Sequence, residues 1–442
     1  MFVLDSNRML HIRASHGALP DPNESGDHFM SRPHLVRASP AASPGAHGSG
    51  SAADDGVAGG SVLRLTRYEA AAGFAIFMLL GALQAMYGPS IPSLRTDFHL
   101  SAPVAGLLLS AQFWGAGLGV IAFGASGRYV STPWRLGIAM ASVVAGCGVL
   151  GLAVNWPMAL LAALAIGFGS GALIVALNTV FATGFGQRST AMVNLLNAAY
   201  GAGAVLGPVG VAVAPGNSFR AVFLTAGGVA ILLVLPALRM PQGTSSGTGV
   251  FWPQGRRVVS VLAVFLLIFL LYDGLEADIG GWAATQLKFN GFSGAAAANI
   301  TALFWGALTL GRIILAPVTQ RFAPHRLLTV QLLAVIVVMV LAHRSGLVPA
   351  AYTLTGFLLA PIFPVLFVWV QRTFPQVRSA ASFVLLAALS GGAAFPPLVG
   401  KLIGASSPNV LPTVLLIVAL AALTAIQIVQ RMARQLVPGP EL

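Results

Sequence analysis

From position 68 onward the chain is a succession of apolar runs of about twenty residues, each bounded by Gly, Pro or a basic residue. A helix of that length crosses the hydrocarbon core of a bilayer at about 1.5 Å of rise per residue. Twelve spans are predicted, near 68–90, 102–124, 134–154, 157–182, 190–214, 219–238, 258–283, 295–316, 327–343, 347–370, 379–402 and 410–430. The pattern therefore predicts an all-α polytopic membrane protein, since in lipid a helix satisfies its backbone donors and acceptors internally. Gly167, Gly169 and Gly171 lie in the fourth span, Gly201, Gly203 and Gly207 in the fifth, and Gly391 and Gly392 in the eleventh. Small residues at such spacing let helix backbones approach closely.

Residues 1–62 break the pattern. They are rich in Ser, Pro, Gly and Ala and hold His11, His16, His28, His34 and His47. Such a segment buries too little apolar surface to offset its ordering entropy, so a disordered tail is expected. The irregular histidine spacing argues against a metal site, and no cofactor is expected. A translation start at Met30 or later is the alternative to a genuine tail. Residues 1–10 offer no apolar core for a cleavable signal peptide.

Composition narrows the class. With 56% hydrophobic and 8% charged residues and a mean hydropathy of +0.83, the bilayer is the solvent. In a soluble chain the formal charge of +12 would suggest nucleic acid. Here the basic residues sit mainly at span ends, where they anchor and orient helices, and no nucleic-acid partner is expected. With the N-terminus inside, the inner loops and ends hold Arg64, Arg67, Arg128, Arg135, Arg188, Arg239, Arg256, Arg257, Arg312, Arg321, Arg326, Arg372, Arg378, Arg431 and Arg434. The outer ones hold only Arg95, Arg220, Lys288, Arg344 and Lys401. This bias places both termini in the cytoplasm of a cell whose inner or plasma membrane the chain spans. Residues 239–257 then form a cytoplasmic linker between halves at 63–238 and 258–430, and 431–442 a cytoplasmic tail. Cys147 is alone, which excludes a disulfide framework. The chain has no P-loop or HExxH motif, which argues against an ATPase or any other enzyme.

An internal repeat supports the two halves. FWGA at 113–116 recurs at 304–307, and Pro133, Arg135 and Leu136 recur as Pro324, Arg326 and Leu327. Gly167 and Phe168 match Gly356 and Phe357, and Pro208 matches Pro397. Four matches in one order at nearly one offset indicate two pseudo-symmetric six-helix bundles.

The chemistry concentrates at 270–286, LLYDGLEADIGGWAATQ. Asp273, Glu276 and Asp278 lie within a spanning run, where each charge costs at least about 2.5–3.5 kcal/mol near the bilayer centre. Asp273 and Glu276 share a helix face, as do Tyr272 and Glu276, while Asp278 faces nearly the other way beside Trp282. The segment reads as a binding and coupling site. The alternative is a shifted helix that leaves all three carboxylates in the outer headgroup layer. Gln84, Asn178, Asn194 and Asn197 are the other mid-span amides, and each serves either as a ligand contact or as a bond between helices. Tyr200 shares a face with Asn197. Trp114 and Trp305 are repeat-equivalent and offer aromatic faces to a sugar ring or to helix packing. Arg312 reads as a snorkelling cytoplasmic anchor in preference to a carboxylate partner, and Glu69 as a loop tether.

Residues 68–430 resemble the major facilitator superfamily of secondary transporters. The loop at 124–136, GASGRYVSTPWRL, is similar to a degraded form of its Gly-x-Leu-Ala-Asp-Arg-x-Gly-Arg element, with Arg128 where the family has Asp. GAVLGP at 203–208 resembles the antiporter element of helix 5. ALNTVF at 176–181, VNLLNAAYGAGAVLGP at 193–208, LYDGLEADIGGW at 271–282, FWGALTLGR at 304–312 and APIFP at 360–364 resemble the fucose-permease-like and rhizopine-transport-like branch. Fucose permeases also use carboxylates in helices 1 and 4; here Gln84 and Asn178 are the notable polar groups, so coupling would rest on helix 7.

The resemblance implies a monomeric carrier that takes up a sugar-like solute with protons, Glu276 coupling with Asp273 as its neighbour. Substrate contacts would come from Gln84, Trp114, Asn178, Asn194, Asn197, Tyr200, Tyr272, Glu276, Trp282 and Trp305. A proton-linked exporter, and a receptor or scaffold that has lost transport, are the competing readings.

The charge bias yields a direct expectation. Single cysteines at Arg95, Lys288 or Lys401 should be labelled from outside intact cells, and one in the linker 239–257 should not. External labelling of the linker would reverse the orientation.

Overall fold

The fold, a computed structural model, describes residues 65–241, 255–375, 377 and 380–436. The expected tail at 1–62, most of the linker 239–257, the end of the tail 431–442, Arg64 and Arg378 lie outside the described residues, as does the side chain of Arg128. Among the described residues, twelve helices are long and apolar enough to span a bilayer. They are α1 (Arg67–Asp97), α2 (Ala102–Ala125), α3 (Thr132–Gly151), α4 (Trp156–Thr183), α5 (Gly186–Val213) and α6 (Phe219–Leu238). The second six are α7 (Arg256–Phe289), α8 (Gly294–Ile314), α9 (Pro324–Leu341), α10 (Ser345–Thr373), α11 (Ser382–Ala405) and α12 (Pro408–Arg434).

Local chemistry explains where the helices begin, overrun and break. Thr66 caps α1 in a reciprocal box: its backbone N–H donates to Glu69 Oε2 at 2.7 Å, and Glu69 N–H donates back to Thr66 Oγ1 at 3.2 Å. Glu69 is thus a helix cap, not a loop tether. Two spans run longer than their apolar cores. α1 continues through Pro89 and Pro92 to Asp97, and α7 reaches Phe289. α10 is interrupted at Ala360–Pro361, between Val348–Leu359 and Ile362–Thr373, because Pro361 supplies no N–H to the preceding turn. The loop after α2 is tied by Arg135, which is buried and donates to Phe123 O at 2.9 Å and to Thr132 Oγ1 at 3.0 Å.

The packing repeats with a shift of six helices. α1 packs on α5 as α7 packs on α11; α2 on α4 as α8 on α10; α3 on α6 as α9 on α12. The small residues do the work expected of them. Side chains at Gly167 and Gly171 would overlap the α2 backbone at Gln112 and Ala116, and one at Gly169 would overlap α3 at Ala139.

The two halves meet through α1 on α7, α2 on α11 and α5 on α8. Much of the tightest contact lies toward the end that carries the 97–102 and 289–294 turns. A Cβ on Gly88 would overlap the carbonyl of Gly280, and one on Gly106 would overlap Pro396. Pro397 has no N–H to offer the Ala393 carbonyl one turn back. Ser110 Oγ, from the other half, donates to that carbonyl at 2.5 Å. The halves are therefore joined at this end by backbone-to-backbone fit and by a hydrogen bond that the proline leaves open.

Gly88→Ala should destabilise the purified protein by about 1–3 kcal/mol through overpacking. Gly148→Ala, where an added Cβ meets nothing within 4 Å, should be neutral or stabilise by up to about 1 kcal/mol through helix propensity. Thermal unfolding in detergent measures both, and equal effects would contradict the close α1–α7 approach.

Candidate functional site

Between the halves lies a cavity of about 190 Å³. α1 contributes Gln84, α2 Gln112 and Phe113, α4 Ser170, α5 Tyr200, α7 Asp273 and Glu276, and α8 Trp305, Thr309 and Arg312. Asp273 and Glu276 arrive together because three residues of helix turn return nearly to the same face. Tyr272 lies behind them, buried, and its hydroxyl donates to Glu276 Oε2 at 2.5 Å. Asp273 Oδ2 accepts the Gly392 N–H at 3.1 Å, so α11 holds that carboxyl in place. Gln112 Nε2 donates to Gln84 Oε1 at 2.5 Å, which fixes an amide pair on the opposite wall.

Arg312 is the largest departure from the sequence reading. It is not a snorkelling anchor at the membrane surface. Its guanidinium lines the cavity, with Nη2 4.0 Å from Glu276 Oε2. It occupies the same stripe of α8 as Trp305, seven residues earlier, and this spacing was the signal available in the sequence. Gln112 was missed as well, although a glutamine in the middle of an apolar span carries the same information as Gln84.

Several expected contacts lie elsewhere. Trp114 is 59% exposed on the outer surface of α2, whereas Trp305 is 5% exposed and forms cavity wall. The repeated FWGA motif is matched in letters but rotated by about one residue, roughly 100° of helix. Phe113 therefore occupies on α2 the place that Trp305 occupies on α8. Asn178 and Asn197 stand outside the cavity, each donating to the carbonyl one turn back on its own helix, Ile174 O at 2.9 Å and Val193 O at 2.8 Å. Asn194 is exposed. Trp282 is buried in packing, with its indole N–H donating to Pro396 O at 3.1 Å.

Asp278 faces away from the cavity, as its spacing predicts, but not into a headgroup layer. It is fully buried, and neither of its oxygens accepts a hydrogen bond. The residues one turn to either side, Gly274 and Trp282, meet Phe395 and Pro396 of α11. None of the three carboxyls lies on the outer surface of the protein, since Asp273 and Glu276 line the cavity between the halves.

A model of the Major Facilitator Superfamily matches residues 73–342. The protein named "Putative glucose/galactose transporter" of Helicobacter pylori (strain J99 / ATCC 700824) is 28% identical over 177 residues. That match covers 39% of this chain and 42% of the relative, so it spans less than half of the relative's length. Among solved structures, the nucleoside transporter NupG (D323A mutant) superposes with a TM-score of 0.68 at 14% identity, over 82% of this chain and 98% of that one. FucP, a Major Facilitator Superfamily transporter in the outward conformation, superposes with a TM-score of 0.56 at 18% identity, over 83% and 99%. At these identities the structures establish a shared fold, the one the sequence motifs implied.

The two tryptophans should behave differently. Trp305→Ala should destabilise by about 3–5 kcal/mol through the cavity it leaves. Trp114→Ala should stay within about 0.5 kcal/mol, as an exposed substitution does. Thermal unfolding separates them, and equal losses would restore the pseudo-symmetric role that the repeat suggested.

Proposed function

The chain belongs to the Major Facilitator Superfamily, and from that premise we propose that it is a secondary transporter taking up a sugar or similar small polar solute together with protons. The observation that carries this reading is the pair of α7 carboxyls, Asp273 and Glu276, gathered with the Arg312 guanidinium in one cavity between the halves. The amide pair Gln84–Gln112 offers hydrogen bonds to hydroxyls, and Trp305 and Phe113 offer aromatic faces. The sugar named for the Helicobacter pylori relative supports the same solute class.

In this reading the halves rock about the cavity, exposing it to one side at a time. A carboxyl removed from water favours its neutral form, so loading a proton on Glu276 lets the site close, and releasing it to the cytoplasm resets the cycle. The protein acts as a monomer in the cell membrane, with both termini cytoplasmic and the tight α1–α7 end outward. A proton-linked exporter is the second reading, favoured by GAVLGP at 203–208. The direction of pH-driven flux in everted and right-side-out vesicles separates the two.

Glu276→Gln mimics the protonated acid. In proteoliposomes it should retain solute exchange and lose accumulation driven by a pH gradient. Asp278→Asn, away from the cavity, should leave accumulation within about twofold of the parent. Accumulation by Glu276→Gln against a gradient would place coupling elsewhere.

A further inference from the structure

Arg312 has fewer close acceptors than its guanidinium can serve. A guanidinium presents five N–H donors in a planar fork, and a charge-assisted bond to a carboxylate closes to about 2.7–2.9 Å. Here the Glu276 oxygen stays 4.0 Å from Nη2, the Tyr272 hydroxyl oxygen is its other partner, and the Arg312 side chain remains 36% exposed, beside the cavity it lines. Its Nε is buried without an acceptor. On the same stripe of α8 the Trp305 indole N–H is also buried without one.

The carboxyls are better served: Asp273 takes the Gly392 N–H, and Glu276 takes the Tyr272 hydroxyl. The site thus has donors to spare, and the largest of them is a fork shaped for two oxygens.

We propose that the transported solute carries a carboxylate, received by the outer nitrogens of Arg312, with its hydroxyls turned toward the Gln84–Gln112 pair. This rests on the solute-site reading above and narrows it from sugars to sugar acids and related small hydroxy acids. Charge bookkeeping ties it to protons. The ionisable groups lining the cavity or reaching into it are Asp273, Glu276, Arg312, Tyr200 and, from behind, Tyr272. With both carboxylates ionised the cavity already carries one excess negative charge, and an anion would be repelled. Protonating Asp273 and Glu276 leaves Arg312 as the lone charge, which the solute carboxylate neutralises before the site closes in low dielectric.

The test compares four probes of one ring size on the purified full chain at about pH 5.5, where a sugar acid stays ionised. They are glucuronate, its uncharged methyl ester, glucose and glucosamine, and titration calorimetry reads the affinities. Glucuronate should bind about tenfold or more tighter than the ester and glucose. Arg312→Gln should bring the glucuronate-to-ester ratio near one, while Arg312→Lys keeps part of it. If Arg312→Gln does not fold, the wild-type ratio against the ester still decides. Glucose or the ester binding as well as glucuronate overturns this inference and leaves the solute-site reading standing. A preference for glucosamine also overturns it, since the carboxyls would then set the charge. Binding of none of the four overturns both.

Discussion

A polar group without a partner in the bilayer core costs several kcal/mol, and this constraint organises the molecule from the backbone outward. The twelve helices close their own ladders. Most polar side chains then do the same locally: Ser170, Asn178, Thr179, Asn197 and Thr309 each return a hydrogen bond to a carbonyl one turn back. What remains is a small set that needs help from another helix, and much of it is collected in the cavity. Gln84 depends on Gln112, Asp273 on Gly392, and Glu276 on Tyr272 and Arg312. The cavity gathers one such set; Gln286 with Tyr352 and Gln427 with Thr329 are satisfied between helices elsewhere.

The same constraint explains how the halves are joined. Pro397 in α11 leaves the Ala393 carbonyl without its usual donor, and Ser110 takes it up across the interface. Within the half, Trp282 adds a hydrogen bond to the Pro396 carbonyl. Gly280 links this closure to the site. Its carbonyl meets Gly88 of α1, while a side chain on it would overlap the Trp305 indole. Drawing α1 onto α7 therefore bears on the same short stretch of α7 that supports the cavity wall. Asp278, one turn from that contact network, is a buried carboxyl with no hydrogen-bond donor aimed at it, one of several described groups, Tyr87 and Thr285 among them, that the packing leaves without a partner.

Much of this was legible in the chain itself. Apolar runs of spanning length determined the class and the helix number, because lipid leaves the backbone few alternatives. The offset matches determined that two halves repeat. The spacing determined that Glu276 shares a face with Asp273 and with Tyr272 and that Asp278 turns away, since 3.6 residues per turn is a property of any α-helix. Only the tertiary structure decided which way each face turns. FWGA reads the same at 113–116 and 304–307, yet a rotation of about one residue sends Trp114 to the outer surface and Trp305 into the cavity. Arg312 reads as a membrane-surface anchor from its place near a helix end, and becomes a cavity cation because α8 brings it opposite Glu276. Asn178 and Asn197 could have bonded a ligand or their own backbone, and the geometry chose the backbone. Periodicity orders residues around one axis. The direction of that axis relative to eleven others is set by packing, through pairs such as Gly88 with Gly280 that lie far apart in the chain.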